Sequence, residues 1–237
     1  MTGASPRPAA AAARAGGAVV RRRWPTLLAL LAAVVLPLAG FGALAEDVAE
    51  SGGLPWDAPI LRFLHAHAPA GLDAWTVPLT RLGYQWGTLP VAAALVVGLA
   101  MRHRPRDSVF VLLSMAGTGA MVLALKLVFQ RPRPALWPSP APETDFAFPS
   151  GHAALNAALA ACVVLLVWRT RARWPVLVLA IAWVVAVDLT RLYLGVHFPS
   201  DVLAGNAGGL AWTAGIRLLA GAPRPREPHH PSTFPTP

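Results

Sequence analysis

The chain has 237 residues, 55% of them hydrophobic and 13% charged, with a formal net charge of +9. That is too apolar for an ordinary soluble domain and the right size for one small polytopic bundle. The basic excess does not indicate nucleic acid as a partner, because the arginines gather at the ends of apolar runs and form no stripe on a soluble face.

Residues 1–24 are basic and rich in Ala, Gly and Pro, without a helical stripe, and are expected to be a disordered cytoplasmic N-terminus. The apolar run Pro25–Ala45 follows. A helix needs roughly 20 apolar residues at about 1.5 Å each to cross the hydrocarbon core, so this run reads as span one. Arg21 to Arg23 before it and Ala43-Leu44-Ala45 at its end also resemble a cleavable signal peptide. The run is longer than the about 7–15 residues usual there, and either outcome leaves Glu46 outside. Twin-arginine export of a folded soluble domain does not fit a chain with five further spans.

Trp56, Ile60, Leu61, Phe63 and Leu64 then make a short apolar face beside Arg62, His65 and His67. This predicts a helix lying in the membrane interface, as an anchor or as a roof over a site. His65 and His67 do not share a helix face at i,i+2 spacing and read as solvent-facing.

The remaining spans are Gly83–Met101, Ser108–Phe129, Ser150–Trp168, Trp174–Leu189 and Val202–Leu219. The fold class is therefore all-α, a six-transmembrane-helix bundle over residues 25–221 with an interfacial helix between spans one and two. Lone Cys162, in span four, excludes an intramolecular disulfide and reads as a packing residue. The Pro-rich tail 222–237 is expected to be disordered, and its His229 and His230 lack further ligands.

Arginine clusters precede span one (Arg21 to Arg23), join spans two and three (Arg102, Arg104, Arg106), join four and five (Arg169, Arg171, Arg173) and follow six (Arg217, Arg224, Arg226). Simple alternation puts all four on one side, so the positive-inside rule makes both termini cytoplasmic in a multi-pass protein of the cell membrane. Arg131, Arg133 and Arg191 fall on the other side, against that rule, and need another role.

Three stretches carry chemistry. Lys126, the only lysine, lies in the last turn of span three, and Pro132 and Pro134 extend the chain so that Arg133 is presented at the interface. A guanidinium fork and a point-charge ammonium suit a tetrahedral oxyanion. Phe148-Pro149-Ser150-Gly151-His152 opens span four, with Ser150 as N-cap, Gly151 admitting a ligand to the backbone, and helix N–H groups forming an anion cradle at which His152 points. In Thr190-Arg191-Leu-Tyr-Leu-Gly-Val-His197-Phe-Pro-Ser-Asp201, the Asp201 carboxylate is placed to accept from one His197 ring nitrogen, leaving the other free to attack. Burying an Asp and an Arg at a membrane boundary makes function the default reading. Asp188, three residues before Arg191, is expected to pair with it or play a supporting part. So much positive charge would repel a divalent metal and neutralise a phosphate, so no metal or other cofactor is implied.

Lys126-x6-Arg133-Pro134, Pro149-Ser150-Gly151-His152 and Thr190-Arg191-x5-His197-x3-Asp201 resemble, in order and spacing, the three motifs of the type 2 phosphatidic acid phosphatase superfamily. The resemblance runs from about Trp56 to Leu219, departing at Thr190, where the family usually has serine. It implies metal-independent hydrolysis of a lipid phosphate or diphosphate through a phosphohistidine. His197 is then the nucleophile, Asp201 its orienting partner and His152 the acid for the leaving oxygen. Lys126, Arg133, Ser150, Gly151 and Arg191 would hold the phosphoryl oxygens, and Arg131, outside the pattern, would assist. The implied substrate is a polyprenyl diphosphate, a phosphatidate or phosphatidylglycerol phosphate, its chain staying in the bilayer. Other readings are a phosphotransferase passing the phosphoryl group to an acceptor other than water, a vanadate-dependent haloperoxidase, disfavoured by six spans and no large soluble domain, and a non-catalytic lipid-phosphate-binding bundle.

Overall fold

A computed structural model describes residues 8–69 and 71–221. These form α1 (Pro8–Ser51), α2 (Asp57–Ala66), α3 (Asp73–Leu82), α4 (Thr88–Met101), α5 (Pro105–Phe129), α6 (Gly151–Val167), α7 (Arg173–Tyr193) and α8 (Pro199–Gly221). No strand occurs among the described residues, and the expected tail over 222–237 lies outside them.

Among the described residues, three helical stretches are long and apolar enough to cross a membrane by themselves, namely Leu31–Ser51 of α1, then α5 and α7. Helices α4 and α6 are apolar but shorter. α8 has the length, at 23 residues, but its inner face carries Asp201, Thr213 and several glycines. The outer faces of these helices carry many exposed apolar side chains, among them Leu36, Leu123, Val128, Val178 and Leu179.

Three expectations need correction. The chain is already helical at Pro8, because the Ala9–Ala13 run has high helix propensity and extends the first span backwards. The second predicted span, Gly83–Met101, begins five residues late: residues 83–87 are a turn with Gly at each end, and α4 has only 14 residues. The stretch before that turn forms α3, a second short helix to which the sequence analysis assigns no element. The interfacial helix is present as α2, with Leu61 buried and Ile60 and Phe63 outward. It does not roof the site, because its N-terminus docks on the start of α8.

Helix α8 runs through the middle, packed on α1, α5 and α6, and α6 also contacts α5 and α7. The α6–α8 contact is close because a Cβ on Gly205 would overlap the Ser150 carbonyl and one on Gly209 the Ala154 carbonyl; small residues spaced by four let helix backbones touch. The two helix starts are thereby locked together, with Ser150 N–H donating to the Asp201 carbonyl at 2.9 Å. Beneath them Phe110, Val111, Met115, Leu155, Leu159 and Cys162 form the core between α5 and α6. At the far end Asp107, starting α5, meets Arg104 at 2.7 Å and Arg217 of α8 at 3.9 Å, so that pole is arginine-rich.

One buried side chain ties three helices under the site. Asn156 donates to the Gly83 carbonyl at 2.6 Å and the His152 carbonyl at 2.8 Å, and accepts from Thr88 and from Trp183, each at 2.7 Å. All four of its hydrogen-bonding positions are used, so this polar group costs the core little and fixes α4, α6 and α7 in register.

Candidate active site

The end of α5, the start of α6, the end of α7 and the start of α8 meet at one pole, around a cavity of about 680 Å³ lined by Lys126, Gly151, His152, Arg191 and His197. The three sequence stretches therefore converge. Helix α3 supplies Thr80 and the turn after it Tyr84 to the same wall, neither of them signalled by the sequence.

His197 sits at the centre, 1% exposed, just past a reversal in which Gly195 takes a left-handed φ of +64°. Its Nε2 is 3.0 Å from Arg133 Nη1. A guanidinium has no acceptor, so this contact requires an unprotonated Nε2 and puts the ring proton on Nδ1. Nδ1 faces Asp201 Oδ2 at 3.6 Å. Burial, then the positive charges of Arg133 and Arg191, hold the imidazole well below its ordinary pKa, with Glu143 pulling weakly the other way. His197 thus presents a neutral, lone-pair-bearing nitrogen to the cavity.

Behind His197 lies a closed polar network. Asp201 accepts from the Phe198 N–H at 2.8 Å and from Arg131. Arg131 also donates to Asp57 and Ser200, at 2.7 and 2.8 Å, and to the Gly52 carbonyl at 3.0 Å. Asp57 accepts in addition from Ser200 N–H at 3.0 Å and Ser200 Oγ–H at 2.6 Å. Arg131 thus faces away from the cavity, because its partners all lie on the far side of Asp201. Asp57 and Ser200 were not anticipated; the only signal was an acid opening α2.

In front of His197 the cations face one loop segment. Lys126 pairs with Asp145, Arg133 with Asp145 and with Glu143 at 2.6 Å, and Arg191 with Glu143. Glu143 oxygens lie 4.0 Å from His152 Nδ1 and 3.8 Å from His197 Nε2. Burial opposes ionisation of both acids but is outweighed. The neighbouring positive groups hold Glu143 below its ordinary range, and Lys126 and Arg133 bring Asp145 to about 2. Arg191 is steadied from behind by Thr80 at 2.6 Å, and the ring of His152 packs on Tyr84 with centroids 4.9 Å apart.

The remaining predicted residues divide. Ser150 caps α6, accepting from the Ala153 N–H at 3.5 Å. A Cβ at Gly151 would meet only Val122, at an ordinary 3.5 Å, so packing alone does not demand glycine there. The Thr190 hydroxyl turns back to the Val187 carbonyl at 2.6 Å and does not reach the cavity. Asp188 does not pair with Arg191; one helical turn lower, it accepts from Asn206 at 2.6 Å, while Arg191 is drawn outward by Thr80 and Glu143.

Known proteins resemble this chain in sequence and fold. A sequence profile of the PAP2 superfamily matches residues 107–224. The chain is 32% identical over 138 residues to phosphatidylglycerophosphatase B of Bacillus subtilis, covering 56% of this chain and 67% of that one. It is 30% identical over 153 residues to an undecaprenyl-diphosphatase of Sulfolobus acidocaldarius, covering 63% and 71%. The crystal structure of a transmembrane PAP2-type phosphatidylglycerolphosphate phosphatase from Bacillus subtilis superimposes with a TM-score of 0.71 at 26% identity, over 78% of this chain and 94% of that one. With helices, motif geometry and relatives in agreement, this chain belongs to the PAP2 superfamily.

Proposed function

We propose that the protein is a membrane lipid phosphatase that cleaves a phosphate ester or diphosphate through a phosphohistidine on His197. The supporting observation is an anion, the Glu143 carboxylate, held by Arg133 and Arg191 between two imidazoles. A phosphoryl group in that position has an in-line nucleophile on one side and an acid on the other. The Nε2 lone pair of His197 attacks phosphorus, the bond to the leaving oxygen breaks, and His152 gives that oxygen its proton. Asp201 supports the Nδ1 proton as the ring gains charge. Water then attacks the phosphohistidine, His152 takes its proton, and phosphate leaves. Lys126, Arg133, Arg191 and the backbone at Ser150 and Gly151 neutralise the equatorial oxygens.

The relatives named as acting on phosphatidylglycerophosphate and undecaprenyl diphosphate make a lipid phosphate or diphosphate the substrate class. Six bilayer crossings, by α1 and α4 to α8, bring the site to the extracytoplasmic face, because the arginine-rich pole is the cytoplasmic one. An impermeant thiol reagent added to cells should then label Ala141→Cys and not Ala172→Cys in a background lacking Cys162; the reverse pattern overturns the sidedness.

The two histidines test the chemistry. His197→Ala should form no phosphoenzyme from a ³²P-labelled activated aryl phosphate in a rapid-quench experiment. His152→Ala should lose about 10²–10⁴-fold in turnover, the scale of general acid catalysis, yet still trap label when the leaving group needs no proton. Label retained by His197→Ala and lost by His152→Ala would reverse the roles.

A further inference from the structure

Three cations at the cavity, Lys126, Arg133 and Arg191, find their counterions in Glu143 and Asp145 of the α5–α6 connection. Lys126 has Asp145, Arg191 has Glu143, and Arg133 has both. The Glu143 carboxylate also stands between the imidazoles, where the phosphoryl group must lie for His197 to attack and His152 to protonate. A substrate phosphate and these carboxylates therefore compete for the same donors.

The segment is suited to leaving. The Asp145 side chain is 57% exposed and that of Glu143 27%, and neither lies in a helix. Either carboxylate regains hydration outside the cavity, unlike the buried acids behind His197. Its neighbours stay anchored: Ala147 N–H donates to the Arg131 carbonyl at 2.9 Å, and Pro138, Pro140 and Pro142 restrict the chain before it. Displacement then needs little more than rotation of two side chains and a short stretch of backbone.

Charge decides what can displace them. Lys126, Arg133 and Arg191 face two carboxylates, and Arg81 lines the same cavity without an acid partner among the described residues. A phosphomonoester carries about −1.5 to −2 near neutral pH and a diphosphate more, so either replaces most or all of the charge of the two carboxylates. A phosphodiester carries one negative charge and would leave the cations under-neutralised. The bilayer around the site is made largely of phosphodiester lipids, which an open cationic cavity would bind.

We infer that Glu143 and Asp145 are specificity-determining residues, an internal anion that headgroups with two or more negative charges displace and phosphodiester monoanions do not. The substrate arm of this inference rests on the phosphatase reading above; the binding arm does not.

The test uses Glu143→Gln, Asp145→Asn and the double variant, purified in detergent, with folding checked by thermal unfolding. Asp145→Asn alters a half-exposed side chain and is the variant safest for the fold. Phosphatidate serves as substrate and phosphatidylglycerol as competitor. Wild type should be inhibited by the diester only weakly. In the variants the inhibition constant for phosphatidylglycerol should fall by about tenfold or more, more than KM for phosphatidate falls, as expected when a competing like charge is removed from a partly desolvated site. In parallel, binding of inorganic phosphate and of dimethyl phosphate is measured by calorimetry, which needs no turnover. Dimethyl phosphate should bind the double variant and not the wild type. An unchanged ratio of diester to monoester affinity in every folded variant, or weaker phosphate binding than wild type, overturns the inference. If wild type turns over neither phosphatidate nor a prenyl diphosphate, the phosphatase reading fails by itself, and calorimetry still decides the role of the two acids.

Discussion

His197 has two sides that solve the same electrostatic problem differently. Behind it, Asp201, Arg131 and Asp57 are 0%, 3% and 4% exposed at their side chains, and Ser200 and two backbone groups complete the network. In front, three cations are matched by loop carboxylates that water can reach. Buried charges without partners cost several kcal/mol each, so the rear set has to be complete and permanent. The front set only has to be neutral on average, and its partners can be exchanged for a ligand. A nucleophile fixed from behind and a phosphate site cleared from in front are thus assembled from the same kinds of side chain. What separates them is access to water.

The comparison breaks most severely at Arg131. Arg131→Met leaves Asp57 and Asp201 buried together with no cation, and removing one partner of such a set costs about 3–5 kcal/mol. Chemical unfolding in detergent should show that loss, while Arg133→Met, whose acid partners lie in the front cavity, should cost less stability and act mainly on kcat/KM. Arg131→Lys should recover only part of the loss, since an ammonium does not reproduce the fork reaching Asp57, Ser200, Asp201 and the Gly52 carbonyl. Equal stability of Arg131→Met and Arg133→Met would remove the distinction between the two sides.

A second test concerns the protonation of His197 between them. Its pKa is depressed, so its proton leaves at lower pH than the ordinary value near 6.5, and the free enzyme keeps a neutral nucleophile through the neutral range. The depression comes from burial and then from Arg133 and Arg191 in front. Ring-nitrogen NMR of His197 should show no protonation from pH 8 down past about 6.5 in the wild type. Arg133→Met, by deleting a front cation, should move the titration upward, and Glu143→Gln should move it further down. A shift of the opposite sign in either variant would mean that the front set does not govern the ring.

Much of the front set was legible in the sequence, and most of the rear set was not. Lys126, Arg133, His152, Arg191 and His197 stand out because cations and imidazoles at the ends of apolar runs violate both hydropathy and the positive-inside rule. Asp57 gave no such signal, since an acid at the start of a short amphipathic helix is ordinary, and its link to Arg131 spans 74 positions. Glu143 and Asp145 are the only acids in the α5–α6 connection, yet loop acids are usually solvated, and only the fold carries them to the cations. Helix α3 was hidden because it is only 10 residues long, contains Pro78 and has no continuous apolar run. Asn156 was missed for the opposite reason, a lone amide inside an apolar run whose four partners come from its own helix, from α7 and from the stretch 83–88.

The smallest expected effect concerns Thr190, which opens the third motif beside the phosphate ligand Arg191. Its hydroxyl donates backwards to the Val187 carbonyl of its own helix, which places it in the frame and not among the front donors. A hydroxyl bonded to a phosphoryl oxygen would be a hydrogen bond to a charged group, worth about 1.5–3 kcal/mol; losing it would lower kcat/KM by roughly 10- to 150-fold. A hydrogen bond within the helix contributes about 0.5–1.5 kcal/mol, and to folding, not to catalysis. Thr190→Val keeps the shape and deletes the hydroxyl. It should therefore lower stability slightly while leaving kcat/KM within about threefold of wild type, and Thr190→Ser should match wild type in both. Steady-state kinetics on the two variants decide the matter, because a loss in Thr190→Val beyond about tenfold with full recovery in Thr190→Ser would move the hydroxyl from the frame to the phosphate.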